Sequence, residues 1–395
     1  MDAMIIEATR TPRARSGETG QLAKVTPIQL LDTLYNDMKQ RQPEAMEQVE
    51  SVTLGCVGGL NEQGSNIAKV SAVYSQLPHD LTGATLNSFC ASGLDAIMVA
   101  ASRVAAWGEG LALCGGVEHL SRVPMFADSG PWFAEQAVAD RTGYVPMGVA
   151  ADLLALREGF AREKLDDYGF RSYERARFAQ TEGYFKPWII PIDSQNQRVA
   201  LDDGPIKERP RSYWDTKQPA FKPTPAEQRR LAAALDGRAY CSLHHSATSP
   251  MLVDGASLLL LANEATCERL NLQPLARIKG AAGGGGDPVE MLTGHLSAAK
   301  KLLARHDLTP RDIDVYEINE SFAASVLKFQ QNLELDPNAC NRHGGALALG
   351  HPLGATGGIL VGQLCHELQR TQEKLGLAAI PGGAGLGAAT LIERV

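Results

Sequence analysis

The sequence lacks paired cysteines, a long apolar run and an excess of positive charge. Its seven cysteines in 395 residues show neither CxxC pairs nor the density of a disulfide framework, and the N-terminus has no signal-peptide character. These features predict reduced thiols in a cytoplasmic protein. No apolar run reaches the roughly 18 residues of a membrane span, and a net charge of −7 argues against binding nucleic acid or an anionic membrane. We therefore expect a soluble protein of more than one domain.

Two familiar kinds of ligand site are also missing from the sequence. The glycines at 283–286 precede Asp287-Pro288 rather than Lys-Ser or Lys-Thr, so they do not form a phosphate-binding loop. His244 and His245 are adjacent rather than spaced like metal ligands. We predict no metal site and interpret this histidine pair as part of a loop.

Glycine is abundant, and it separates strand-like from helix-like segments near both ends of the chain, as in an α/β fold. Residues 91–93 (ASG) open a helix-like segment that leads through GLALC to Gly115-Gly116. Residues 355–357 (ATG) open another, which leads through GLAAI to Gly382-Gly383. The parallel predicts two copies of one α/β unit, with chance similarity of glycine-rich segments as the alternative.

The middle of the chain, residues 121–250, has a different character. It holds three of the four tryptophans and long charged helical stretches, which favour an inserted lid or substrate-binding domain. Residues 207–225 are rich in proline and cations and are predicted to be an exposed loop. Lys207, Arg209 and Arg211 are candidates to face an anionic ligand, although a solvated loop explains them equally well.

Cys90, in the segment NSFCASGLDAI, is the strongest chemical signal. A strand-like run from Leu81 to Leu86 precedes it, and apolar spacing predicts a helix from about Ser92 to Trp107. A helix N-terminus offers the positive end of the macrodipole and free backbone N–H groups, and both favour the reactive thiolate. The position predicts a nucleophile, with a buried structural cysteine as the alternative.

Two later segments supply groups that suit a cysteine nucleophile. Asn319 follows the strand-like DIDVYEI, and strand ends often carry catalytic groups, although asparagine is also a common helix cap. His351 lies in a Gly-His-Pro turn before a glycine-rich helix start, which makes it a candidate base. Histidine would accept the thiol proton as cysteine attacks a thioester, and backbone N–H groups of the glycines at 381–387 would stabilise the oxyanion.

Together these segments resemble the thiolases, which make or cleave 3-oxoacyl-CoA thioesters. The resemblance covers essentially the whole chain, including IIEATRTPRARSG, NSFCASGLDAI, GGVEHLSRVPM, VDGASLLLLA, EINESFAAS and GHPLGATGG. It is closer to the degradative and trifunctional-complex type than to ketosynthases. It implies an α/β thiolase fold, a duplicated five-layered α-β-α-β-α core with an inserted loop domain. The implied domains are 1–120 with 251–272 (N-terminal), 121–250 (inserted) and 273–395 (C-terminal).

The resemblance also implies roles for single residues. Cys90 would be the acylated nucleophile and His351 its activating base, and Asn319 would hold a water in one oxyanion hole. The backbone N–H groups of Cys90 and Gly383 would form a second oxyanion hole.

Substrate and partners follow from the same resemblance. Met147 and Ser249 stand where the family contacts coenzyme A, which with acyl-CoA would be a substrate, and no bound cofactor is implied. The family further implies a homodimer or homotetramer, with a partner subunit of a β-oxidation complex as a further candidate.

Pro381 departs from the thiolase pattern. The run GLAAIPGGAGLG aligns without a gap with the family's GLATLCxGGGxG, and Pro381 stands where a second cysteine would shuttle the proton of the α-carbon. Proline cannot titrate, and general acid–base catalysis typically contributes about 10²–10⁴-fold. We expect acylation of Cys90 to survive and carbon–carbon chemistry to suffer. His343, in Asn-Arg-His-Gly-Gly where the family has Asn-x-Asn-Gly-Gly, is a candidate substitute base, with a structural loop histidine as the alternative.

Three functions are compatible with these residues. The first is an acyl-CoA C-acyltransferase of thiolase type in which the proton-transfer step is slow or is carried out by another residue. The second is a decarboxylative condensing enzyme, or a thioester hydrolase or transferase, that needs no second cysteine. The third is a non-catalytic subunit that binds acyl-CoA or a partner protein. The intact segment around Cys90 favours an enzyme.

Overall fold

The computed structural model describes residues 3–194, 197–205 and 207–395. Its strands are β1 (Ala3–Arg10), β2 (Ala14–Arg15), β3 (Ser51–Gly55), β4 (Thr82–Leu86), β5 (Leu111–Glu118), β6 (Ile192–Ser194), β7 (Gln197–Val199), β8 (Val253–Ala262), β9 (Ala276–Gly285), β10 (Val315–Ile318), β11 (Leu375–Pro381) and β12 (Leu386–Arg394). Its α-helices are α1 (Pro27–Arg41), α2 (Pro43–Met46), α3 (Ile67–Tyr74), α4 (Ser92–Ser102), α5 (Pro131–Ala134), α6 (Gln136–Thr142), α7 (Met147–Glu158), α8 (Arg162–Thr181), α9 (Ser212–Asp215), α10 (Pro225–Leu231), α11 (Glu264–Leu270), α12 (Gly294–Arg305), α13 (Ala323–Asn332), α14 (Ala346–Leu349) and α15 (Thr356–Thr371).

The main sheet consists of two halves with the same internal order. In the first half β3 is parallel to β4 and β5, and β8 and β1 continue the sheet in antiparallel fashion. In the second half β10 is parallel to β11, and β12 and β9 continue in antiparallel fashion. A bridge between Tyr316 and Cys340 takes the edge position of β4, and a short β1–β9 ladder joins the halves. The repeated order confirms the predicted duplication of one α/β unit.

Helices form three layers around these half-sheets. Helices α1 and α3 share a buried apolar cluster with the outer face of the first half, and α12 and α13 do the same for the second half. Helices α4 and α15 contact each other and pack between the two halves. The result is the predicted α-β-α-β-α core.

The central helix α4 follows its predicted span closely. It is regular from Ser92 to Ser102 and ends in a π-helical turn at Arg103–Trp107. By length and composition alone, Phe89–Trp107 would suffice to cross a membrane. Here its side chains Leu94 and Ile97 are fully buried in the core between the half-sheets. The segment is apolar because it is surrounded by protein on most sides.

The starts of α4 and α15 touch each other through glycine. A Cβ on Gly93 would lie 2.4 Å from the carbonyl oxygen of Gly354, and one on Gly357 would lie 2.0 Å from the backbone nitrogen of Leu94. Only a residue without a Cβ allows the two backbones to approach so closely. Because His351 stands just before Gly354 in sequence, and Cys90 just before Gly93, the contact brings the two predicted catalytic turns together.

The described part of the region 121–250 consists mainly of helices α5 to α10 and the antiparallel strand pair β6 and β7. The loop predicted at 207–225 is not exposed throughout, because Trp214 is only 2% exposed. Its ring packs against Phe170 and Tyr173, and its Nε1–H donates to the carbonyl of Ala247 at 3.1 Å. The indole is buried and its polar atom is hydrogen-bonded, so it anchors the loop. The prediction of exposure is wrong at this residue.

Substitution of Gly93 by alanine tests the helix contact. The added Cβ would force the backbones of the two turns apart, and overpacking of this kind costs about 1–3 kcal/mol. We expect a lower free energy of unfolding in urea and faster alkylation of Cys90, because separated turns would expose the buried thiol. Gly283→Ala is the control, because its Cβ would meet nothing within 4 Å. Equal stability of the two variants would show that the turns can separate freely.

Candidate active site

Cys90 lies on a tight turn between β4 and α4. Phe89, just before it, has φ of 52°, in the left-handed region, and its N–H donates to Asn87 Oδ1 at 2.9 Å. The N–H of Ser88 donates to Ser92 Oγ at 2.8 Å, which ties the turn to the first residue of the helix. Left-handed backbone at a bulky residue costs on the order of 1–3 kcal/mol and persists where the surroundings enforce it, often at functional sites.

The thiol faces an apolar pocket with a cavity of about 80 Å³. Met147, at the start of α7, and Gly383, after β11, line the same pocket, as does Leu353, two residues beyond His351. Further walls come from Val57, Leu60, Phe89, Glu118, Leu120, Val123, Trp132, Phe133 and Tyr144. The structure thus gathers Cys90, Gly383 and Met147 from three separate segments.

Gly383 begins a 3-10 turn, Gly383–Gly385, immediately beyond the end of β11. The turn is irregular, because Ala384 within it is left-handed with φ of 54°. The N–H of Gly383 is a candidate donor to an oxyanion. A Cβ on Gly383 would stand 3.1 Å from the ring of Phe89, which shows how tightly that ring packs on this turn. Pro381 ends β11 opposite Gly387 and is buried.

His351 is 3% exposed and is held from both sides. Its Nδ1 lies 2.7 Å from Thr356 Oγ1, and its backbone N–H donates to the carbonyl of Met251 at 2.8 Å. Within the described ranges its Nε2 has no hydrogen-bond partner. Burial, with the charge of Arg13 as the second cause, lowers the pKa of His351 to about 3. The ring is therefore neutral, and Nε2 is its nitrogen without a protein partner among the described residues.

The surroundings of Cys90 favour the protonated thiol. Burial raises the pKa of Cys90 to about 12, with the negative charge of Glu118 as the second cause. The helix N-terminus favours the thiolate, as the nearby N–H groups predict, but the loss of hydration on burial acts in the opposite direction and outweighs it.

Glu118 is a pocket residue that the sequence reasoning missed. Its carboxylate accepts hydrogen bonds from the backbone N–H groups of Val57 and Gly58 at 2.9 Å and of Gly354 at 3.0 Å. Gln63 Nε2 donates to it at 3.0 Å. The side chain therefore ties the loop after β3 to the turn beyond His351. An acid that ends the otherwise apolar strand LALCGGVE was the available signal.

Asn319 lies at the end of β10 but does not line the Cys90 pocket. It is 1% exposed, its N–H donates to the carbonyl of Ala379, and its Nδ2 donates to Ser321 Oγ, both at 2.8 Å. In the described part of the chain its Oδ1 has no partner. Buried polar atoms are usually paired, so this oxygen is a candidate to bind water or substrate.

Ser249 lines a second, cationic depression. It is 8% exposed, its Oγ has no partner among the residues that the structure describes, and it borders a groove of about 540 Å³. Arg15, Lys207 and Arg209 line the same groove. Two of the three cations proposed from the sequence therefore face a common depression with Ser249.

Arg211, the third of those cations, is engaged elsewhere. It forms ion pairs with Asp167 at 2.6 Å and with Asp215 at 2.8 Å, and it does not line the groove. Its charge is used within the insertion, which corrects its candidacy for an anionic ligand.

The contacts of His343 favour the structural alternative for this residue. Its Nε2 lies 3.3 Å from Glu367 Oε2, and its ring packs 5.0 Å from Tyr184 and 6.0 Å from Phe185, centroid to centroid. Burial lowers the pKa of His343 to about 4. Neither His343 nor any of these three partners lines the Cys90 pocket.

The adjacent histidines in the insertion are likewise held by acids. His244 Nδ1 lies 2.8 Å from Asp152, and His245 Nε2 lies 2.7 Å from Asp166, with all four side chains buried. Both belong to a loop, as predicted. Across residues 3–194, 197–205 and 207–395, no group of three or more His, Cys, Asp or Glu side chains is arranged to hold a metal ion.

Comparison with known proteins matches both halves of the chain. The model of the thiolase N-terminal domain matches residues 3–226, and that of the thiolase C-terminal domain matches residues 272–394. The chain belongs to the thiolase family. The 3-ketoacyl-CoA thiolase of Marinobacter nauticus is 33% identical over 100% of this chain and 98% of its own length. That of Klebsiella pneumoniae subsp. pneumoniae is 34% identical over 99% of each.

A solved structure agrees with this assignment. The acetyl-CoA acetyltransferase of Bacillus anthracis superposes with a TM-score of 0.86 at 30% identity, over 100% of this chain and 99% of that one. The fold of this thiolase is thus the predicted one, and the protein is an acyltransferase of thiolase type.

The protonation state of Cys90 predicts how this thiolase reacts with iodoacetamide. Because the thiolate is the nucleophile, the rate of Cys90 alkylation should rise about tenfold per pH unit from pH 7 to 10 without a plateau. Peptide mass spectrometry at Cys90 measures the rate of alkylation. Urea-unfolded protein is the control, because a solvent-exposed cysteine has a pKa of about 8.5. A plateau below pH 8 in the folded protein would mean that Cys90 and His351 form a charged pair.

Proposed function

We propose that this thiolase accepts an acyl group from acyl-CoA as a thioester on Cys90 and passes it to a second acceptor. The observation that supports this most is the pocket that places the Cys90 thiol beside the Gly383 turn under an apolar wall. A buried nucleophile beside backbone donors, in surroundings that exclude water, suits acyl transfer.

The proton of the thiol must leave as the sulfur attacks, since Cys90 begins uncharged. In our scheme the sulfur–carbon bond forms at the substrate carbonyl, the thiol proton moves to Nε2 of His351, and the oxyanion is held by the N–H groups of Cys90 and Gly383. Collapse breaks the bond to the coenzyme, which leaves as a thiol with the proton from His351. Thr356 is a positioning residue in this scheme, because it fixes the ring through Nδ1.

The groove around Ser249 would hold the coenzyme A arm. Phosphate groups suit the cations Arg15, Lys207 and Arg209, and the free Oγ of Ser249 can bond a polar atom of the pantetheine. Acyl-CoA and 3-oxoacyl-CoA are accordingly the substrate class we propose. The three domain ranges, the homodimer or homotetramer, the β-oxidation partner subunit and the cytoplasmic location remain predictions of the family resemblance.

Acylation of Cys90 tests the proposal directly. Intact-mass spectrometry after incubation with acyl-CoA should show one added acyl group, located at Cys90 by peptide mapping. We expect no adduct in Cys90→Ala and a rate lower by about 10²–10⁴-fold in His351→Ala. Cys241→Ala is the control, because Cys241 is the one exposed cysteine among the described residues, and this variant should be acylated normally. Wild-type protein that takes up no acyl group would refute the proposal.

Pro381 favours a second candidate function for the same acyl-enzyme. Carbon–carbon bond formation or cleavage without decarboxylation needs proton transfer at the α-carbon, and proline has no ionisable group to provide it. A decarboxylative condensing enzyme forms its carbanion by loss of CO₂, and a hydrolase or simple transferase forms none. These activities would therefore proceed where thiolysis is slow.

A Pro381→Cys variant separates the two candidates. If the missing thiol limits the carbon–carbon step, thiolysis of a 3-oxoacyl-CoA should rise by about 10²–10⁴-fold, while acylation of Cys90 changes little. Pro381→Ala removes the ring without adding a thiol and should show no gain. A fast wild-type thiolysis that the cysteine leaves unchanged would show that another group already moves the proton.

A further inference from the structure

We propose that this thiolase is selective for acyl groups with an extended apolar tail over acetyl, and that Trp132 is the residue that sets this selectivity. The inference rests on the proposed acylation of Cys90 and adds the chemical class of the acyl group. A medium-length alkyl chain and an aryl-terminated chain share this chemistry.

A row of aromatic rings leads from the nucleophile to the protein surface. The centroid of Phe89 lies 5.3 Å from that of Trp132, which lies 4.7 Å from that of Tyr144. Phe133 follows at 6.4 Å from Tyr144, and Phe126 at 4.7 Å from Phe133. All five rings line the Cys90 pocket, and Phe126 is 45% exposed at its outer end.

The position of the row favours contact with the acyl group. Met147, which the resemblance assigns to the coenzyme, lines the same pocket, so the coenzyme end would meet the acyl end at that residue. Phe89 adjoins Cys90 in sequence, and its ring packs on the Gly383 turn, so the row begins where the thioester carbonyl would sit. The cations that suit the coenzyme phosphates line the other groove, around Ser249. The acyl end and the phosphate end of an acyl-CoA would therefore bind at two sites of different chemistry, one aromatic and one cationic.

The lining offers little to a small or polar acyl group. Glu118 already accepts four hydrogen bonds, and Asp128 is exposed at the outer end. An acetyl group brings only one methyl to this wall. A longer chain can follow the rings, and its contact with them removes apolar surface of the chain and of the rings from water. Burial of each methylene favours binding by about fourfold. An octanoyl donor should therefore exceed an acetyl donor by at least a hundredfold at full contact.

Trp132 is the most informative position in the row, because it bridges the inner ring Phe89 to Tyr144. If it contacts the acyl tail, Trp132→Ala should slow acylation by octanoyl-CoA at least tenfold and by acetyl-CoA less than threefold. A purely structural role would slow both donors equally. Trp107→Ala is the matched control, since Trp107 is 72% exposed, lies outside the pocket and stacks on Arg103.

The experiment measures the rate of Cys90 acylation at limiting acetyl-CoA, octanoyl-CoA or phenylacetyl-CoA. We expect both apolar donors to exceed acetyl-CoA in the wild type, and the ratio to collapse in Trp132→Ala but not in Trp107→Ala. Trp132→Phe retains an aromatic ring and should keep the ratio of octanoyl to acetyl rates within threefold of the wild type. This variant replaces Trp132→Ala in the test if the alanine variant does not fold. Acylation fastest with acetyl-CoA, or a ratio unchanged in Trp132→Ala, would overturn the inference and leave the proposed function intact. No acylation by any donor would instead refute the proposed function.

Discussion

The contact between the starts of the two central helices is the constraint on which the site depends. At Gly93, Gly354 and Gly357 the backbones meet with no side chain between them. A helix start is also where backbone N–H groups are unpaired. The contact brings the two turns proposed to react, at Cys90 and His351, together in the middle layer. The half-sheets on either side hold the crossing in place, because each helix packs on both of them. The duplicated fold therefore fixes the position of the proposed site.

Burial sets the charge state of the groups at this crossing. The thiol of Cys90 and the imidazole of His351 are each driven toward the neutral form, since neither has enough solvent or partners to support an ion. Glu118 carries a carboxylate nearby, but its oxygens are occupied by N–H donors. Charge would therefore develop at the reacting centre mainly during acyl transfer. Backbone donors stabilise such charge most strongly in a site that excludes water.

Local features were predictable from the sequence, whereas features that depend on what packs around a group were not. The apolar spacing after Cys90 predicted α4, and glycine placement predicted the duplication, because both are short-range patterns. The pKa of Cys90 and the contacts of His343 depend on burial by segments far away in sequence. The aromatic row joins Phe89 to rings of the insertion, and no spacing within one segment indicates such a row. Trp214 was misjudged for the same reason, since its partners Phe170, Tyr173 and Ala247 come from other parts of the insertion. Arg211 pairs both with the distant Asp167 and with Asp215 four residues away.

In the proposed reaction, Pro381 and the aromatic row would act on different steps. The turn beyond Pro381 is fixed, because the N–H of Gly382 donates to the carbonyl of Leu386 at 2.7 Å, and Gly383, which lines the pocket, follows it. A proline restricts φ at the strand end and so preserves the geometry of this turn while it removes the proton shuttle. Contacts along the acyl tail cannot restore that shuttle, because they act on the thioester and its transition state alike. In the proposed reaction they would instead raise the occupancy of the acyl-enzyme on Cys90.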